Sequence, residues 1–346
     1  MKLGVLTGGG DCPGLNAAIR AVVRRAVSLN IGIDGILEGW KGLLTSHFRP
    51  LDIASVSGIL PMGGTILGTT RINPLKTPEM KRKVIENFRR SPLDGVLAIG
   101  GEGTMRVSYA FHKAGIPTIG IPKTIDNDLW GTDVTIGFDT AVQIATDAID
   151  RLHTTAESHH RVMIVEVMGR HTGWIAACAG IAGGGDAILI PEVPFSLNHL
   201  IRLLKQRASR GKNFSIIVVS EDARLYEGVG RKKKILKTPT KKDEYGDIKL
   251  GGIGMLLARE LQKRTSFEIR VTELGHVQRG GTPTAYDRIL ATRLGVEAVN
   301  LAHSGKFGRM VGIQGNKIIS LPLQQVVKKI KTVDPAFYKL AEVFFG

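Results

Sequence analysis

Short apolar runs of strand length alternate with longer helical runs along almost all of the 346-residue chain. This alternation predicts an α/β fold with mostly parallel sheets, because parallel neighbours need a crossover connection that is usually a helix. The length is sufficient for a large core and predicts two domains. The predicted strands span residues 3–7, 33–37, 95–99, 118–121, 162–167, 187–190, 214–220, 268–274 and 309–313. The clearest helical runs span residues 15–29, 139–155, 197–209, 253–264 and 285–303.

Two of these strands lead into glycine-rich turns that are followed by helices. GGGDCPGLN occupies residues 8–16, and GGEGT occupies residues 100–104. Glycines between a strand and a helix let backbone N–H groups approach a phosphate, and the helix N-terminus adds favourable partial charge. The spacing is that of neither the P-loop lysine motif nor a clean dinucleotide fingerprint. The turns predict phosphate-binding loops, with tight strand–helix packing as the alternative.

An acidic segment, PKTIDND at residues 122–128, follows another apolar strand. That position puts its side chains at the carboxyl edge of a parallel sheet, where open α/β folds bind ligands. Of its two aspartates, Asp126 and Asp128, one can take a proton from an attacking hydroxyl while the other holds Mg²⁺ against the transferred phosphate. The segment therefore predicts phosphoryl transfer. A turn rich in Asp and Asn is the alternative interpretation.

Further motifs follow along the chain: HRVMIVEVMGR at 160–170, IPE at 190–192, SED at 220–222 and LGHVQRGG at 274–281. With the glycine turns and PKTIDND, they resemble the 6-phosphofructokinase family over nearly the whole chain. The resemblance is to the bacterial group that contains both ATP- and pyrophosphate-dependent members. Lipid and NAD kinases carry a turn similar to GGEGT, but in them neither PKTIDND nor LGHVQRGG is expected.

The resemblance implies two Rossmann-like domains with crossing chain segments and an active site in the cleft between them. The larger domain, 1–137 with 278–328, would bind the phosphoryl donor. The smaller domain, 138–277 with 329–346, would bind fructose 6-phosphate.

The implied reaction is a glycolytic step, Mg²⁺-dependent phosphoryl transfer to the C1 hydroxyl of fructose 6-phosphate. Asp126 would be the general base, and Asp128 would orient the site and the metal. Thr124 would hydrogen-bond the transferred phosphoryl group. Glu102 would bind Mg²⁺, at a position where the family more often has aspartate. Arg170 would clamp negative charge, since a guanidinium pairs well with phosphate oxygens.

The resemblance also implies a set of sugar-phosphate ligands and an oligomer. In the family, the positions of Arg161 and Arg270 reach in from a neighbouring subunit. We therefore expect at least a dimer, with a homotetramer as the family norm. The implied ligands are Arg161, Met168, Gly169, Arg170, Glu221, Arg270, His276 and Arg279.

The donor is expected to contact the glycine turns and a nearby arginine, through Gly9, Arg71, Gly101, Gly103 and Thr104.

Two positions bear on which donor is used. Pyrophosphate-using relatives usually carry aspartate at the position of Gly103, where its carboxylate would repel the α-phosphate of ATP. The absence of this aspartate favours ATP. Lys123 favours pyrophosphate, which stays the alternative, because its ammonium could neutralise the orthophosphate leaving group. Trp40 could stack on a purine or serve in packing.

The net charge of +16 raises nucleic acid as an alternative partner. Aromatic residues make up only 5% of the chain, however, and no zinc-finger, RRM or helix-turn-helix pattern is present. Seven Lys or Arg residues fall in one segment, 231–242, which favours a solvated insertion over a docking face. We therefore expect fructose 6-phosphate and ATP or pyrophosphate as partners, and no nucleic acid.

Two cysteines give no disulfide framework. The sequence contains no run of 18 apolar residues and nothing that resembles a signal peptide. We therefore expect a cytoplasmic protein that does not bind membranes.

Overall fold

The computed structural model describes residues 1–227, 234–236, 241–242, 248–249 and 251–345. Most of the basic segment 231–242 lies outside these residues. The chain divides into two compact units, Met1–Thr140 with Arg279–Lys331 and Ala141–Gln278 with Thr332–Gly346. The predicted domain boundaries lie within three residues of these divisions. Which substrate each unit binds stays a prediction.

The strands and helices alternate as predicted, and the α/β fold class is confirmed. The strands are β1 (Lys2–Gly8), β2 (Gly32–Ile36), β3 (Phe48–Leu51), β4 (Gly95–Gly100), β5 (Thr118–Pro122), β6 (Val162–Val167), β7 (Ala187–Leu189), β8 (Phe195–Ser196), β9 (Ser215–Ser220), β10 (Leu225–Glu227), β11 (Lys234–Leu236), β12 (Lys241–Lys242), β13 (Ile248–Lys249), β14 (Ile269–Glu273), β15 (Arg309–Gln314) and β16 (Lys317–Pro322). The helices are α1 (Leu15–Ser28), α2 (Trp40–Thr45), α3 (Pro78–Arg90), α4 (Glu102–Lys113), α5 (Phe138–His159), α6 (Trp174–Ala182), α7 (Leu197–Ser209), α8 (Ile253–Gln262), α9 (Ala285–His303), α10 (Leu323–Val326) and α11 (Pro335–Glu342).

The first unit is built on a seven-stranded sheet in the order β16-β15-β5-β4-β1-β2-β3. The strands from β15 to β2 are parallel, and the two edge strands β16 and β3 are antiparallel. All six residues of β4 and all five of β5 are buried. Burial on both faces explains why these central strands are continuous apolar runs rather than alternating ones.

The second unit has a four-stranded parallel sheet in the order β14-β6-β9-β7. Its core is formed by the apolar faces of α7 and α8 against β6, β7 and β9. The hydroxyl of Ser196 accepts a hydrogen bond from the backbone N–H of His199 and caps the N-terminus of α7. Within the described part of the chain, every helix is too short or too polar to span a bilayer.

Candidate active site

Three neighbouring strands of the first unit end at the same edge of the sheet. Gly100, the last residue of β4, is the register partner of both Gly8, the last residue of β1, and Pro122, the last residue of β5. The two glycine turns and the acidic segment follow directly from these residues. Parallel pairing therefore brings all three sequence motifs together, although 114 residues separate the ends of β1 and β5 in the chain.

The backbone carbonyls of the first glycine turn are held by side chains from distant parts of the chain. Lys123 Nζ donates to the carbonyl oxygen of Gly8 at 3.1 Å and also to that of Gly10. The hydroxyl of Thr69 donates to the carbonyl of Gly9 at 2.6 Å. Gly9 has a φ of 77°, a conformation that favours glycine.

Arg279 engages the next carbonyl of the same turn, since its Nη1 donates to Asp11 O at 3.3 Å. The N–H and C=O groups of one trans peptide point in opposite directions. Each N–H that shares a peptide with one of these carbonyls therefore points away from the donor that bonds that carbonyl. Backbone N–H groups in such a glycine turn can bind a phosphate group.

Lys123 is 2% exposed, and burial lowers the pKa of its ammonium below the usual value. Its amine is bonded to the glycine turn, which gives it a structural task that the sequence did not indicate.

Thr104 and Gly103, in the first turn of α4, have opposite surroundings. A β-carbon at Gly8 would lie 2.6 Å from the Thr104 hydroxyl, and one at Gly100 would also clash with it. Those two glycines are therefore needed for close packing. A β-carbon at Gly103 would meet nothing within 4 Å, so this position faces open space.

Glu102 begins α4 and forms an ion pair with Arg106, one helical turn further on. Among the described residues, no group of three or more His, Cys, Asp or Glu side chains could hold a metal by itself. Mg²⁺ commonly takes only one or two carboxylates and completes its shell with substrate phosphates and water. The Glu102 carboxylate and Oδ1 of Asp128, which accepts no hydrogen bond from the described residues, are suitable oxygen donors for such a site.

The acidic segment folds into a tight, internally bonded loop. The Thr124 hydroxyl accepts a hydrogen bond from the backbone N–H of Asp126 at 3.1 Å. Asn127 adopts a left-handed conformation with φ of 51°, and its Oδ1 accepts from the N–H of Thr135 at 3.1 Å. This turn separates the two aspartates and fixes the backbone of both.

Asp128 is only 8% exposed, and its Oδ1 has no hydrogen-bond partner among the described residues. Burial, and secondarily the charge of Asp126, raise its pKa from 3.8 to about 6. The carboxylate is therefore a destabilising group that remains mostly ionised at pH 7.

A second segment of the first unit, residues 62–71, is fastened to the glycine turn. Asn16 donates to the carbonyls of Met62 and Gly63 at 3.2 and 3.1 Å, and it accepts from the N–H of Ile66 at 2.8 Å. Thr69 bonds Gly9 as described above, and Arg71 follows two residues later. Sequence reasoning missed Asn16 and Thr69, because nothing in the sequence pairs them with this segment.

Trp40 serves in packing. It is 4% exposed and belongs to the core of the first unit, where its ring centroid lies 5.3 Å from that of Phe111. Stacking on a purine would require it to leave this core.

The second unit gathers several predicted sugar-phosphate ligands at the carboxyl edge of its own sheet. Val167 and Ser220, the last residues of β6 and β9, are register partners. Just beyond them, the Glu221 carboxylate accepts from the N–H of Gly169 at 3.2 Å. Met168 and Arg170 flank Gly169 in this loop. His276 lies in a 3-10 turn, Gly275–Arg279, shortly after the neighbouring strand β14.

Arg161 and Arg270 lie at the opposite, amino edge of the same sheet. Both donate to one oxygen of Glu268, Arg161 through Nε at 2.8 Å and Arg270 through Nη2 at 2.6 Å. The structure thus separates these two arginines from Gly169 and Glu221 of their own chain. Arg279, the remaining predicted ligand, belongs to the first unit.

Removing the charge of Asp128 is expected to stabilise the protein at neutral pH. Because the folded-state pKa is raised, the folded carboxyl binds its proton more tightly than the unfolded one. The charged carboxylate lowers the free energy of unfolding. This loss is absent below about pH 4, grows as the pH rises towards 6, and is complete above that. Asp128→Asn should therefore raise the free energy of unfolding at pH 7 by about 1–3 kcal/mol, with the gain disappearing near pH 4.

Denaturant unfolding of wild type and variant at both pH values measures this effect. Asp52→Asn is the control, since Asp52 lies in an exposed turn where hydrogen bonds from Ser55 lower its pKa. That variant should show no gain at pH 7. An Asp128→Asn variant that is equally or less stable than wild type at pH 7 would contradict the prediction.

Comparison with known proteins agrees with this geometry. A family profile described as phosphofructokinase matches residues 2–302. The chain is 51% identical, over the full length of both proteins, to a pyrophosphate–fructose 6-phosphate 1-phosphotransferase of Streptomyces coelicolor. It is 48% identical, over 99% of both chains, to ATP-dependent 6-phosphofructokinase 3 of the same organism.

Among solved structures, phosphofructokinase from Saccharomyces cerevisiae superimposes with a TM-score of 0.82 at 31% identity. The alignment covers 99% of this chain and 46% of the yeast chain, so the protein spans about half of that longer relative. The two-unit α/β fold, the motifs at its strand ends and these full-length relatives all lead to the same assignment: the chain belongs to the phosphofructokinase family and is a phosphotransferase.

Proposed function

We propose that the protein transfers a phosphoryl group to the C1 hydroxyl of fructose 6-phosphate and forms fructose 1,6-bisphosphate. The observation that carries the proposal is the convergence of the two glycine turns and the acidic loop at the ends of β1, β4 and β5. That edge combines an N–H cradle for phosphate with two carboxylates. We place the reaction in glycolysis and in the cytoplasm.

The chemistry needs a base, a nucleophile and a stabilised leaving group. Asp126 takes the proton from the C1 hydroxyl, the sugar oxygen forms a bond to the transferred phosphorus, and the bond to the leaving phosphate breaks. Thr124 already accepts the N–H of Asp126 and keeps its own hydroxyl proton for a phosphoryl oxygen. Arg170 supplies positive charge where the transition state is negative.

Mg²⁺ is the cofactor that this site suits, and Glu102 and Asp128 are the residues that would hold it. When bound, the ion would neutralise charge on the donor phosphates. Glu102 would exchange its partner Arg106 for the metal, and Asp128 Oδ1, which has no hydrogen-bond partner among the described residues, would gain a ligand contact.

The sugar phosphate is assigned to the carboxyl edge of the second unit. Glu221 is held by the N–H of Gly169 and can accept hydrogen bonds from sugar hydroxyls. His276 and Arg279 supply groups for the 6-phosphate. The Streptomyces relatives support this acceptor, since fructose 6-phosphate stands in the name of one of them.

ATP is the donor that the open position at Gly103 favours. Apart from its chain neighbours and its own helix backbone, none of the described residues places an atom within 4 Å of where a β-carbon would stand. Pyrophosphate is the second candidate. The burial of Trp40 favours it, because this aromatic ring is not available to a purine.

A coupled assay of fructose 6-phosphate phosphorylation with Mg²⁺, run in parallel with ATP and pyrophosphate, tests the function and identifies the donor. Asp126→Asn preserves shape and removes the base, so turnover should fall by about 10²–10⁴-fold with little change in the KM for the sugar. Asp139→Asn, which alters an aspartate outside the acidic loop, is the matched control. A folded Asp126→Asn enzyme with near-normal turnover would refute the role of the base.

Donor choice can be tested at Gly103. Gly103→Asp should abolish the use of ATP, because the open space would then hold a carboxylate that repels the α-phosphate. Gly103→Asn adds nearly the same volume without the charge and should retain more ATP-dependent activity. The measurement is kcat/KM for both donors. Unchanged ATP use in Gly103→Asp would show that the donor does not occupy this space.

We also propose that each sugar site borrows Arg161 and Arg270 from a neighbouring subunit. Their position at the amino edge, away from Gly169 and Glu221, supports this proposal. Arg161→Ala and Arg270→Ala should each be nearly inactive, and a mixture of the two should stay inactive, because every borrowed pair lacks one arginine.

A mixture of Arg161→Ala with Asp126→Asn should behave differently. A mixed dimer contains one site with an intact base and two intact arginines, so subunit exchange should restore up to about a quarter of the sites. The recovered rate is measured after exchange. If this mixture recovers no activity, or if an isolated monomer is fully active, the proposal that subunits share their sites is wrong.

A further inference from the structure

The acidic loop holds an unfavourable arrangement that needs support from outside the loop. Asn127 is left-handed at φ of 51°, a conformation that a non-glycine residue adopts at a cost. On either side of it lie Asp126 and Asp128, whose like charges act on each other. Contacts from outside the loop lower the cost of this geometry.

That support comes from residues 329–331, here called the strap, about 200 positions later in the chain. Ile330 forms an antiparallel bridge with Leu129, and the N–H of Lys331 donates to the carbonyl of Asp128 at 2.8 Å. Lys329 Nζ lies 4.8 Å from the ring centroid of Trp130. The strap thus runs alongside the loop that carries the acids.

The ammonium of Lys331 makes the densest set of these contacts. It donates to Asn127 Oδ1 at 2.9 Å, to Thr132 O at 3.0 Å and to Asp133 O at 2.6 Å. An ammonium has three N–H donors, and these three acceptors can use all of them. One side chain therefore joins the centre of the acidic loop to its return segment.

We infer that Lys331 is a positioning residue for phosphoryl transfer, which acts through Asn127 on the backbone between Asp126 and Asp128. The inference rests on the proposed function of the acidic loop. Asn127 Oδ1 receives both the Lys331 ammonium and the N–H of Thr135, so the lysine fixes the amide that holds the left-handed turn. Displacing a base by as little as 1 Å costs on the order of 100-fold in rate.

The inference predicts an effect on turnover rather than on binding. Lys331→Met removes the ammonium and keeps the length of the side chain. Its kcat should fall by about 10–100-fold, while the KM for fructose 6-phosphate changes by less than about threefold, because the sugar ligands are elsewhere. Lys331→Arg keeps charge and N–H donors and should recover most of the lost kcat.

Lys329→Met is the matched control. It also removes an ammonium from the strap, but the contact that is lost lies on the face of the Trp130 ring. Its kcat should stay close to wild type. Equal losses in Lys329→Met and Lys331→Met would overturn the specific role of Lys331. If Lys331→Met does not fold, Asn127→Ala, which removes the side-chain oxygen that Lys331 bonds, is measured in the same way, and an unchanged kcat in it would also overturn the inference.

A double-mutant cycle with Asn127→Ala tests the route. If Lys331 acts through Asn127, the double variant should lose little more kcat than the worse single variant. Losses that multiply would refute this route. The wild-type assay separates this inference from the proposed function: no activity with either donor refutes the function, whereas normal wild-type activity with an unimpaired, folded Lys331→Met enzyme refutes only the positioning role.

Discussion

The buried ammonium of Lys123 joins the two loops on which the proposed chemistry depends. It lies at the start of the acidic loop and bonds the carbonyls of Gly8 and Gly10 in the first glycine turn. An unpaired charge with 2% exposure would be very costly, so these carbonyls must stay where they are for the lysine to remain there. Their position also fixes the peptide planes of the turn, and with them the direction of its N–H groups. One constraint therefore connects the end of β1 to the end of β5.

Cationic side chains repeat this arrangement around the site. Arg279 bonds the carbonyl of Asp11, and Lys331 bonds Asn127 and two further carbonyls of the acidic loop. Each of these hydrogen bonds goes to a backbone or amide oxygen. Among the described residues, Asp128 Oδ1 has no hydrogen-bond partner, and burial together with the charge of Asp126 raises the pKa of Asp128, while the charge of Lys331 acts in the opposite direction. Contacts from the surrounding fold therefore stabilise the acidic loop, whose buried charge is unfavourable by itself.

The sequence was sufficient to predict what depends on local pattern. The buried strands are continuous apolar runs, and the motifs that follow them carry their own glycines and aspartates, so the fold class could be predicted and the segments of the proposed site could be located. Contacts between distant segments of the chain could not be predicted. Nothing near Lys331 indicates that its ammonium reaches Asn127, and nothing near Asn16 indicates that it holds residues 62–66. Trp40 illustrates the same limit, because an indole has similar local surroundings in a sequence whether it faces a ligand or a core.

Donor choice illustrates how an absent side chain and an engaged one act together. On the proposed function, glycine at 103 leaves out a repulsive group but supplies no attraction, so it would permit ATP without excluding pyrophosphate. Lys123 bonds two carbonyls of the glycine turn, and its ammonium has three N–H donors, so it can hold the turn and still offer one N–H to a phosphate oxygen. We propose that backbone N–H groups of the turn also bind the donor, a contact that does not distinguish a nucleotide from pyrophosphate. Neither group by itself therefore selects the donor, and two relatives of similar identity are named for different donors.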